Sequence, residues 1–222
     1  MKILSWNIER PKIDDNRKIE IIELINSFDA DLIFLTETNS DINFSNYFSL
    51  KTNELPPNYK GVKFHKGENR ATIYSKYPIV EEIETYDSFS SICCKIETEF
   101  GALILYSSII GFLGGRDDFF KKDLKNQKED LTKICIDNNN VCFSGDLNIS
   151  FSGYSYPSKR VVKEMDEFFD KNDLVITTRQ HKDSAIHILL SKLFIDEKNI
   201  STNMIGVRTG LSDHNIVITE IK

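Results

Sequence analysis

Alternating apolar and polar residues dominate the chain and predict many short strands. The segment KILSWNI alternates from the amino terminus, DLIFLTE is an apolar run that ends in an acid, and VCFSGDLN ends in the same way. Similar patterns occur in YFSLKT, GVKFHK, ATIYSK, IVEEIET, SSICCKIE, ALILYSSI, LVIT, IHILLS, NMIGVR and HNIVITE. Because residues two apart share one face of a strand, these segments predict sheets with buried faces.

Three segments have helical spacing instead. The first is RKIEIIELINSF, which Asp15 or Asn16 could cap and whose predicted apolar side is Ile19, Ile22, Ile25 and Phe28. The second runs from about Asp117 to Asp137, with an apolar side of Phe120, Leu124, Leu131 and Ile134. The third runs from about Ser158 to Asp170. Helices that interrupt two strand-rich halves favour an α+β fold of two packed, mostly antiparallel sheets with outer helices over a doubly wound parallel sheet.

Length and composition indicate one domain over residues 1–222. The chain is 40% apolar, which suffices for one sizeable core, and no long linker divides it. The amino terminus has no apolar signal region, and no run of about 18 apolar residues predicts a membrane span. The cysteines form no CxxC pair, and the adjacent Cys93 and Cys94 are expected on opposite faces of a strand. Reduced thiols in a cytoplasmic protein are the expectation.

The formal charge of −6 argues against a protein that coats nucleic acid through a broadly basic face. The same charge is compatible with an enzyme that acts on phosphates, because bound divalent cations can supply positive charge locally. No glycine-rich phosphate-binding loop of the common kinds is present.

Polar side chains stand at the ends of four predicted strands, after the apolar run in three of them and immediately before the final strand in the fourth. They are Asn7, Glu37, Asp146, Asn148, Asp213 and His214. Each alone has an ordinary structural explanation, since Asn and Asp commonly form turns after strands and a lone Glu is commonly solvated. Together they form a set suited to phosphoester hydrolysis.

The chemistry of these residue types divides into metal binding and phosphate binding. Mg²⁺ prefers oxygen ligands and commonly takes one or two carboxylates, which Glu37 and Asp213 could supply with Asn7 nearby. Asp146 is suited to orienting a water, and Asn148 to holding the phosphate or Asp146 itself. His214 could stabilise the charge that develops on the phosphate.

The segments SWNIE, DLIFLTET, ATIYSKYPI, SGDLN and LSDHNIVI resemble those of the endonuclease/exonuclease/phosphatase superfamily, in the same order and across nearly the whole chain. The resemblance implies a four-layered α/β/β/α sandwich with its site at one edge of the sheets. It implies that Asn7 and Glu37 help to bind Mg²⁺ or Mn²⁺, that Asp146 aligns water, and that Asn148 and His214 contact the phosphate. It implies that Asp213 binds metal or orients His214.

Two positions depart from the pattern of this superfamily. The strand LILYSSIIG offers Ser108, with Tyr106 two residues earlier, where the superfamily usually has a His or Tyr. Ile186 stands where the superfamily has the Asp that orients the catalytic imidazole, with Asp183 three residues upstream and His187 expected to face away. Loss of that carboxylate removes a constraint on the tautomer and orientation of the His.

The sequence therefore leads to one leading hypothesis and one alternative. The leading hypothesis is a Mg²⁺- or Mn²⁺-dependent nuclease or phosphodiesterase with a phosphate-containing substrate such as DNA or RNA. Arg70 could contact that phosphate, although a surface arginine at a strand start is equally consistent with the sequence. The alternative is a weakened or inactive member of the superfamily that binds a phosphorylated ligand or a protein partner.

Overall fold

Two six-stranded sheets form the centre of the molecule in a computed structural model that describes residues 1–111 and 116–222. The strands in chain order are β1 (Lys2–Asn7), β2 (Leu32–Asn39), β3 (Phe48–Lys51), β4 (Asn58–Tyr59), β5 (Val62–Lys63), β6 (Glu68–Ser75), β7 (Ile79–Ile83), β8 (Ser91–Thr98), β9 (Gly101–Ile109), β10 (Val141–Asp146), β11 (Leu174–Ile176), β12 (Ile186–Ser191), β13 (Ile200–Ile205) and β14 (Ile216–Ile221). The helices are α1 (Arg17–Ser27), α2 (Asp118–Asp137), α3 (Lys159–Lys171) and the short α4 (Lys192–Ile195).

The two sheets have the same kind of topology. The first sheet has the strand order β13-β14-β1-β2-β6-β3 and the second has the order β11-β12-β10-β9-β8-β7, while β4 and β5 form a separate hairpin. Each large sheet has one parallel pair at its centre, β1 with β2 and β9 with β10, and its other pairs are antiparallel. The carboxyl ends of β1 and β10, which carry Asn7 and Asp146, lie at the same edge of the sandwich.

Three apolar clusters separate four layers. The inter-sheet cluster includes Ile3, Phe34, Leu105 and Ile188. An outer cluster packs Ile21 and Ile25 of α1 against the first sheet, at Leu4, Trp6, Ile33 and Leu35. A second outer cluster packs Phe120 and Leu124 of α2 and Phe169 of α3 against the second sheet, at Tyr106 and Phe143. The predicted four-layered α/β/β/α sandwich is confirmed.

The predicted apolar side of α1 is wrong in one position. Ile19 is 62% exposed, whereas Ile21 and Ile25 are buried. The segment has apolar residues at nearly every second or third position, so its periodicity fits more than one face. Packing against the first sheet selects the face. Of the two candidate caps, Asp15 accepts a hydrogen bond from the Arg17 N–H (2.9 Å), and the Asn16 side chain makes no capping bond.

The cysteines are free thiols with no catalytic environment. Cys93 faces the outer cluster and Cys94 the inter-sheet cluster, as their adjacency in a strand predicts. Burial raises the pKa of the Cys135 thiol to about 11 and also raises the pKa of Cys142, so neither forms a thiolate readily. Within the described residues, no helix is long and apolar enough to cross a membrane.

Candidate active site at the edge of the two sheets

A hydrogen bond between side chains joins the two sheets at this edge. The Asn7 Nδ2 donates to Asp146 Oδ2 (2.9 Å), although the two residues are 139 positions apart in the sequence. Both side chains are buried, with Asn7 1% and Asp146 2% exposed. Asn7 Oδ1 accepts from the Glu9 N–H (2.9 Å) and keeps a lone pair for another partner. The strand-end residues Asn7 and Asp146 therefore converge.

The turn after β10 holds Asn148 beside Asp146. The Asn148 N–H donates to Asp146 Oδ1 (3.0 Å), and the Asn148 Nδ2 donates to the carbonyl oxygen of Ile110 (2.9 Å). Asn148 adopts a left-handed backbone (φ 49°) that ends the extended strand. Gly145, with φ 154°, lets β10 approach β9, because a Cβ there would lie 1.9 Å from the carbonyl oxygen of Ser108. The spacing of Asp146 and Asn148 thus places both side chains at the open end of the strand.

Glu37 reaches the site through a break in the regular alternation of β2. Ile33 and Leu35 pack in the outer cluster, so a regular strand would direct Glu37 to the same outer face. Glu37 instead has φ 51°, a conformation that is unfavourable for a side chain with a Cβ. Its carbonyl oxygen accepts from the Arg10 N–H (2.8 Å) just beyond β1. The segment that follows β1 therefore helps to hold Glu37 in this unfavourable backbone conformation.

The two carboxylates lie close enough to influence each other. Burial raises the pKa of Glu37, and the negative charge of Asp146 raises it further, against the opposing effects of Arg70 and His214. Burial also raises the pKa of Asp146, against the charge of His214 and the hydrogen bonds from Asn7 and Asn148. A raised carboxyl pKa marks a site where negative charge is incompletely compensated.

His214 is anchored to β1 through its backbone. The Trp6 Nε1 donates to the His214 carbonyl oxygen (2.9 Å), and the His214 N–H donates to Ser212 Oγ (3.0 Å), which in turn donates to the Asn7 carbonyl oxygen (2.7 Å). The His214 Nε2 lies 3.3 Å from Asp213 Oδ1 and 4.0 Å from Asp146 Oδ2. The Asp213 side chain is 71% exposed, so it sits at the rim beside the imidazole.

Neither Ile186 nor Asp183 supplies a carboxylate to His214. Ile186 pairs with Asp146 across β12 and β10, and its side chain is buried in the inter-sheet cluster. Asp183 Oδ1 accepts from the Tyr154 N–H (2.8 Å), so this carboxylate binds the loop after β10 instead. Asp213 is the carboxylate closest to the His214 imidazole in the described contacts.

His187 faces away from the site, as predicted, and supports the loop behind Asn148. Its Nε2 lies 2.8 Å from the carbonyl oxygen of Ile149 and its Nδ1 lies 2.6 Å from Thr178 Oγ1. A carbonyl oxygen only accepts, so Nε2 donates and Nδ1 accepts from the hydroxyl. This neutral imidazole is enclosed by protein, with Phe151 packed against it.

We expect His187 to make stability depend on pH below neutrality. Burial lowers its pKa from 6.5 to about 4, so the unfolded chain binds a proton in this range before the native state does. The His187 contribution is therefore complete above pH 6.5 and falls by about 3 kcal/mol as the pH drops to about 4. Urea unfolding of wild type and His187→Gln across this range measures the difference. The exposed His65→Gln is the control, and a parallel pH dependence in wild type and His187→Gln would contradict the assignment.

Arg70 is buried rather than presented to solvent. Its Nη1 donates to Ser90 Oγ (3.1 Å), its Nη2 donates to the Gly111 carbonyl oxygen, and Asp123 Oδ2 lies 3.9 Å from Nη1. Its positive charge lowers the pKa of both Glu37 and Asp146, which places it in the field of the site.

Two polar residues near the site were not identified from the sequence. Asp123 is buried on the apolar side of α2. Its position between Phe120 and Leu124 is the sequence feature from which its burial could have been predicted. Asn69 lines a cavity of about 30 Å³ together with Glu37 and Arg70, and its Nδ2 is buried without a hydrogen-bond partner. No sequence signal distinguishes Asn69 from an ordinary strand residue.

The side chains of Ser108 and Tyr106 on β9 point away from the site. Ser108 Oγ donates to Gln127 Oε1 (2.7 Å), and the Tyr106 hydroxyl donates to Asp130 Oδ2 (3.2 Å), both toward α2. The Tyr106 hydroxyl therefore does not replace the superfamily's His or Tyr at the site. The rest of this loop, residues 112–115, lies outside the described residues.

The donor set fits a hard divalent cation with few protein ligands. Among residues 1–111 and 116–222, no group of three or more His, Cys, Asp and Glu side chains is arranged to hold a metal ion. Mg²⁺ requires only one or two carboxylates and retains water ligands. Glu37, whose pKa is raised by burial and then by the nearby Asp146, and the free lone pair of Asn7 Oδ1 match that requirement.

Comparisons with known proteins agree with this architecture. A family model described as the Endonuclease/Exonuclease/phosphatase family matches residues 4–160. No curated protein matches the chain.

Among solved structures, a 3′ phosphatase NExo from Neisseria bound to product DNA hairpin is 14% identical with a TM-score of 0.72, over 100% of this chain and 99% of that one. An AP endonuclease from Archaeoglobus fulgidus is 13% identical with a TM-score of 0.72, over the same shares. A beta toxin mutant from Staphylococcus aureus with bound magnesium ions is 15% identical with a TM-score of 0.65, again over 100% and 99%. At these identities the likeness concerns the fold.

Proposed function

The chain belongs to the Endonuclease/Exonuclease/phosphatase family, and on that premise we propose that it is a Mg²⁺- or Mn²⁺-dependent phosphodiesterase or nuclease. The observation that carries the proposal is the convergence of Asn7, Glu37, Asp146 and His214 at one edge of the sandwich. The magnesium ions and product DNA in similarly folded proteins are compatible with it.

Asp146 is the proposed base for the attacking water. Its carboxylate is held by Asn7 on one oxygen and by the Asn148 N–H on the other, so its orientation is fixed. Burial raises its pKa, which makes the carboxylate a better proton acceptor. Asp146 would take the water proton as the new P–O bond forms and the ester P–O bond breaks.

Asn148 and His214 are the proposed phosphate-binding groups. The Asn148 carboxamide uses one N–H for Ile110 and keeps the other for a phosphate oxygen. The His214 Nε2 lies on the same side as Asp146 and can donate to the phosphate. Asp213, at 3.3 Å, would orient this imidazole in place of the carboxylate missing at Ile186. We assign Arg70 a supporting electrostatic role through the field it exerts on both carboxylates.

Glu37 is the proposed main metal ligand, with Asn7 beside it and Asp213 as a further candidate at the rim. A divalent cation bound there would neutralise phosphate charge as a Lewis acid. The substrate would be a phosphodiester such as DNA, RNA or a nucleotide.

A second function, binding of a phosphorylated ligand or a protein partner without turnover, is favoured by Ile186 and by Ser108, which donates to Gln127 on α2. The buried Ile186 provides none of the support that the superfamily gives its catalytic imidazole. The neighbouring Asp213 supports the enzyme reading instead, because it offers His214 a carboxylate from another direction.

Hydrolysis of bis(4-nitrophenyl) phosphate tests the proposal. We expect turnover with Mg²⁺ or Mn²⁺ and its loss with EDTA, because Glu37 and Asp146 alone place uncompensated negative charge beside the phosphate. Restoring the cation should restore the rate. Metal-induced stabilisation without turnover of this diester or of oligonucleotides would support the binding function instead.

A further inference from the structure

A groove of about 1090 Å³ lies between α2 and α3, on the outer face of the second sheet. Seven basic and three acidic side chains line it, an excess of four positive charges in a chain whose formal charge is −6. Lys121, Lys125, Lys128 and Lys133 line the α2 wall at intervals of three to five residues. The groove is thus a local basic feature that the overall charge conceals.

The acidic side chains of the groove are already paired. Glu164 on α3 accepts from Lys128 on α2 at 2.7 Å, and Glu167 lies 3.6 Å from Lys163. The third, Glu129, lies 3.9 Å from Lys125 on α2. Because the Lys128–Glu164 pair joins the two walls, the groove is narrow at that point. A nucleic-acid duplex is too wide for a space that one ion pair spans, whereas a single strand can lie along it.

The lining of this groove combines apolar surface with an excess of basic side chains. Its deepest apolar residues, Phe120 and Leu124, are only 1% and 7% exposed, so they offer a ligand little area. None of the large apolar side chains that are exposed in the described residues lines the groove. The half-buried Val161 and Phe168 of α3 supply further apolar surface to the lining. A polyanion would gain ion pairs along both walls.

The groove begins near the candidate active site. Arg116, Pro157 and Ser158 line it at the amino-terminal ends of the two helices, and the Arg116 guanidinium lies 5.4 Å from the Tyr156 ring centre. Pro157 and Ser158 lie at the end of the loop that connects β10, which carries Asp146, to α3. At 1.5 Å per residue, the lysines of α2 are about 5–8 Å apart over a length of about 18 Å.

We propose that the groove between α2 and α3 binds a single-stranded nucleic acid that extends from the active site. This proposal rests on the proposed phosphodiesterase function and narrows its substrate to a polynucleotide several residues long. Its binding energy would come from ion pairs with the phosphate backbone, which makes it independent of sequence and strongly dependent on salt.

Oligonucleotide binding in EDTA tests the groove without requiring turnover. The probe is a fluorescein-labelled oligothymidylate of about 12 nucleotides, compared with a dinucleotide, by fluorescence anisotropy at several salt concentrations. The test variant is Lys125→Glu with Arg160→Glu, one residue on each wall. The matched control is Lys95→Glu with Lys222→Glu, which changes the net charge equally and lies outside the groove.

We expect the groove variant to bind the oligonucleotide at least about tenfold more weakly and with a salt slope smaller by roughly 1.4, the value for two lost phosphate contacts. The control should retain the wild-type affinity. If the reversals impair folding, Lys125→Gln with Arg160→Gln replaces them. No measurable binding by wild type, or equal affinities in wild type and groove variant, would overturn the proposal and favour an acidic protein as the occupant.

Turnover of bis(4-nitrophenyl) phosphate should be unchanged in the groove variant, and its absence in wild type would refute the phosphodiesterase function separately.

Discussion

Asp146→Asn is expected to lower kcat for a phosphodiester by between about 100-fold and 10,000-fold, the range typical of a lost general base. The amide has the shape of the carboxylate, but its single oxygen can accept from either the Asn7 Nδ2 or the Asn148 N–H and not from both. The variant therefore loses one hydrogen bond as well as the group that can take the proton of water. Steady-state kinetics with saturating Mn²⁺, together with the thermal midpoint of each protein, separates lost chemistry from lost folding.

Asp130→Asn is the matched control for this prediction. Asp130 is also a buried carboxyl with a raised pKa, but it contacts Tyr86 and Tyr106 on the α2 side of the second sheet. We expect this variant to keep the wild-type kcat at temperatures where it is folded. An equal loss in both variants, or no loss in Asp146→Asn, would remove Asp146 from the proposed mechanism.

Glu37→Gln is expected to abolish stabilisation by divalent cations. A cation at about 100 times its Kd adds about 2.7 kcal/mol to the free energy of unfolding, which is about 5–10 °C in Tm for a chain of this size. We expect this rise in wild type and none in the variant. Differential scanning fluorimetry with increasing Mg²⁺ or Mn²⁺ measures it, and this readout does not depend on turnover.

The same variant is expected to be more stable than wild type without metal. The pKa of Glu37 is raised in the folded protein, so stability falls as the pH rises through the ordinary value of 4.5 and the carboxylate must ionise in place. At neutral pH the wild type carries this cost and the amide does not. Glu97→Gln, at an exposed position of β8, is the control. A wild-type metal shift that persists in Glu37→Gln would reassign the metal to other ligands.

Sequence periodicity was sufficient to predict the buried face of a helix where the apolar residues fit only one face. The apolar side of α2, from Phe120 to Ile134, was predicted and is the buried side. The apolar residues of helix α1 are spaced so that they fit more than one face, and only contact with Leu4 and Trp6 distinguishes the buried Ile21 from the exposed Ile19. Local patterns determine that a face is buried, whereas the choice between two similar faces depends on the partner.

At the candidate site, too, local patterns predict some side-chain positions and packing contacts decide others. Asn7 and Asp146 end strands on the inter-sheet side, which alternation predicts. Glu37 does not follow alternation, because its φ of 51° redirects the chain at that residue. A left-handed residue within a strand is disfavoured by local preferences, so its conformation is imposed by contacts such as the Arg10 N–H to the Glu37 carbonyl oxygen.

Strand and helix periods are local properties of the chain, so the sequence was enough to predict the strand-rich layered architecture and the order of the motifs that identify the family. Other arrangements depend on how the layers pack: Asn7 meets Asp146 across the sheets, Asp183 accepts from the Tyr154 N–H, and Arg70 is buried against Asp123. The same packing brings lysines from α2 and Arg160 from α3 into one basic groove. These arrangements join residues far apart in the chain, and their distances depend on how the layers pack.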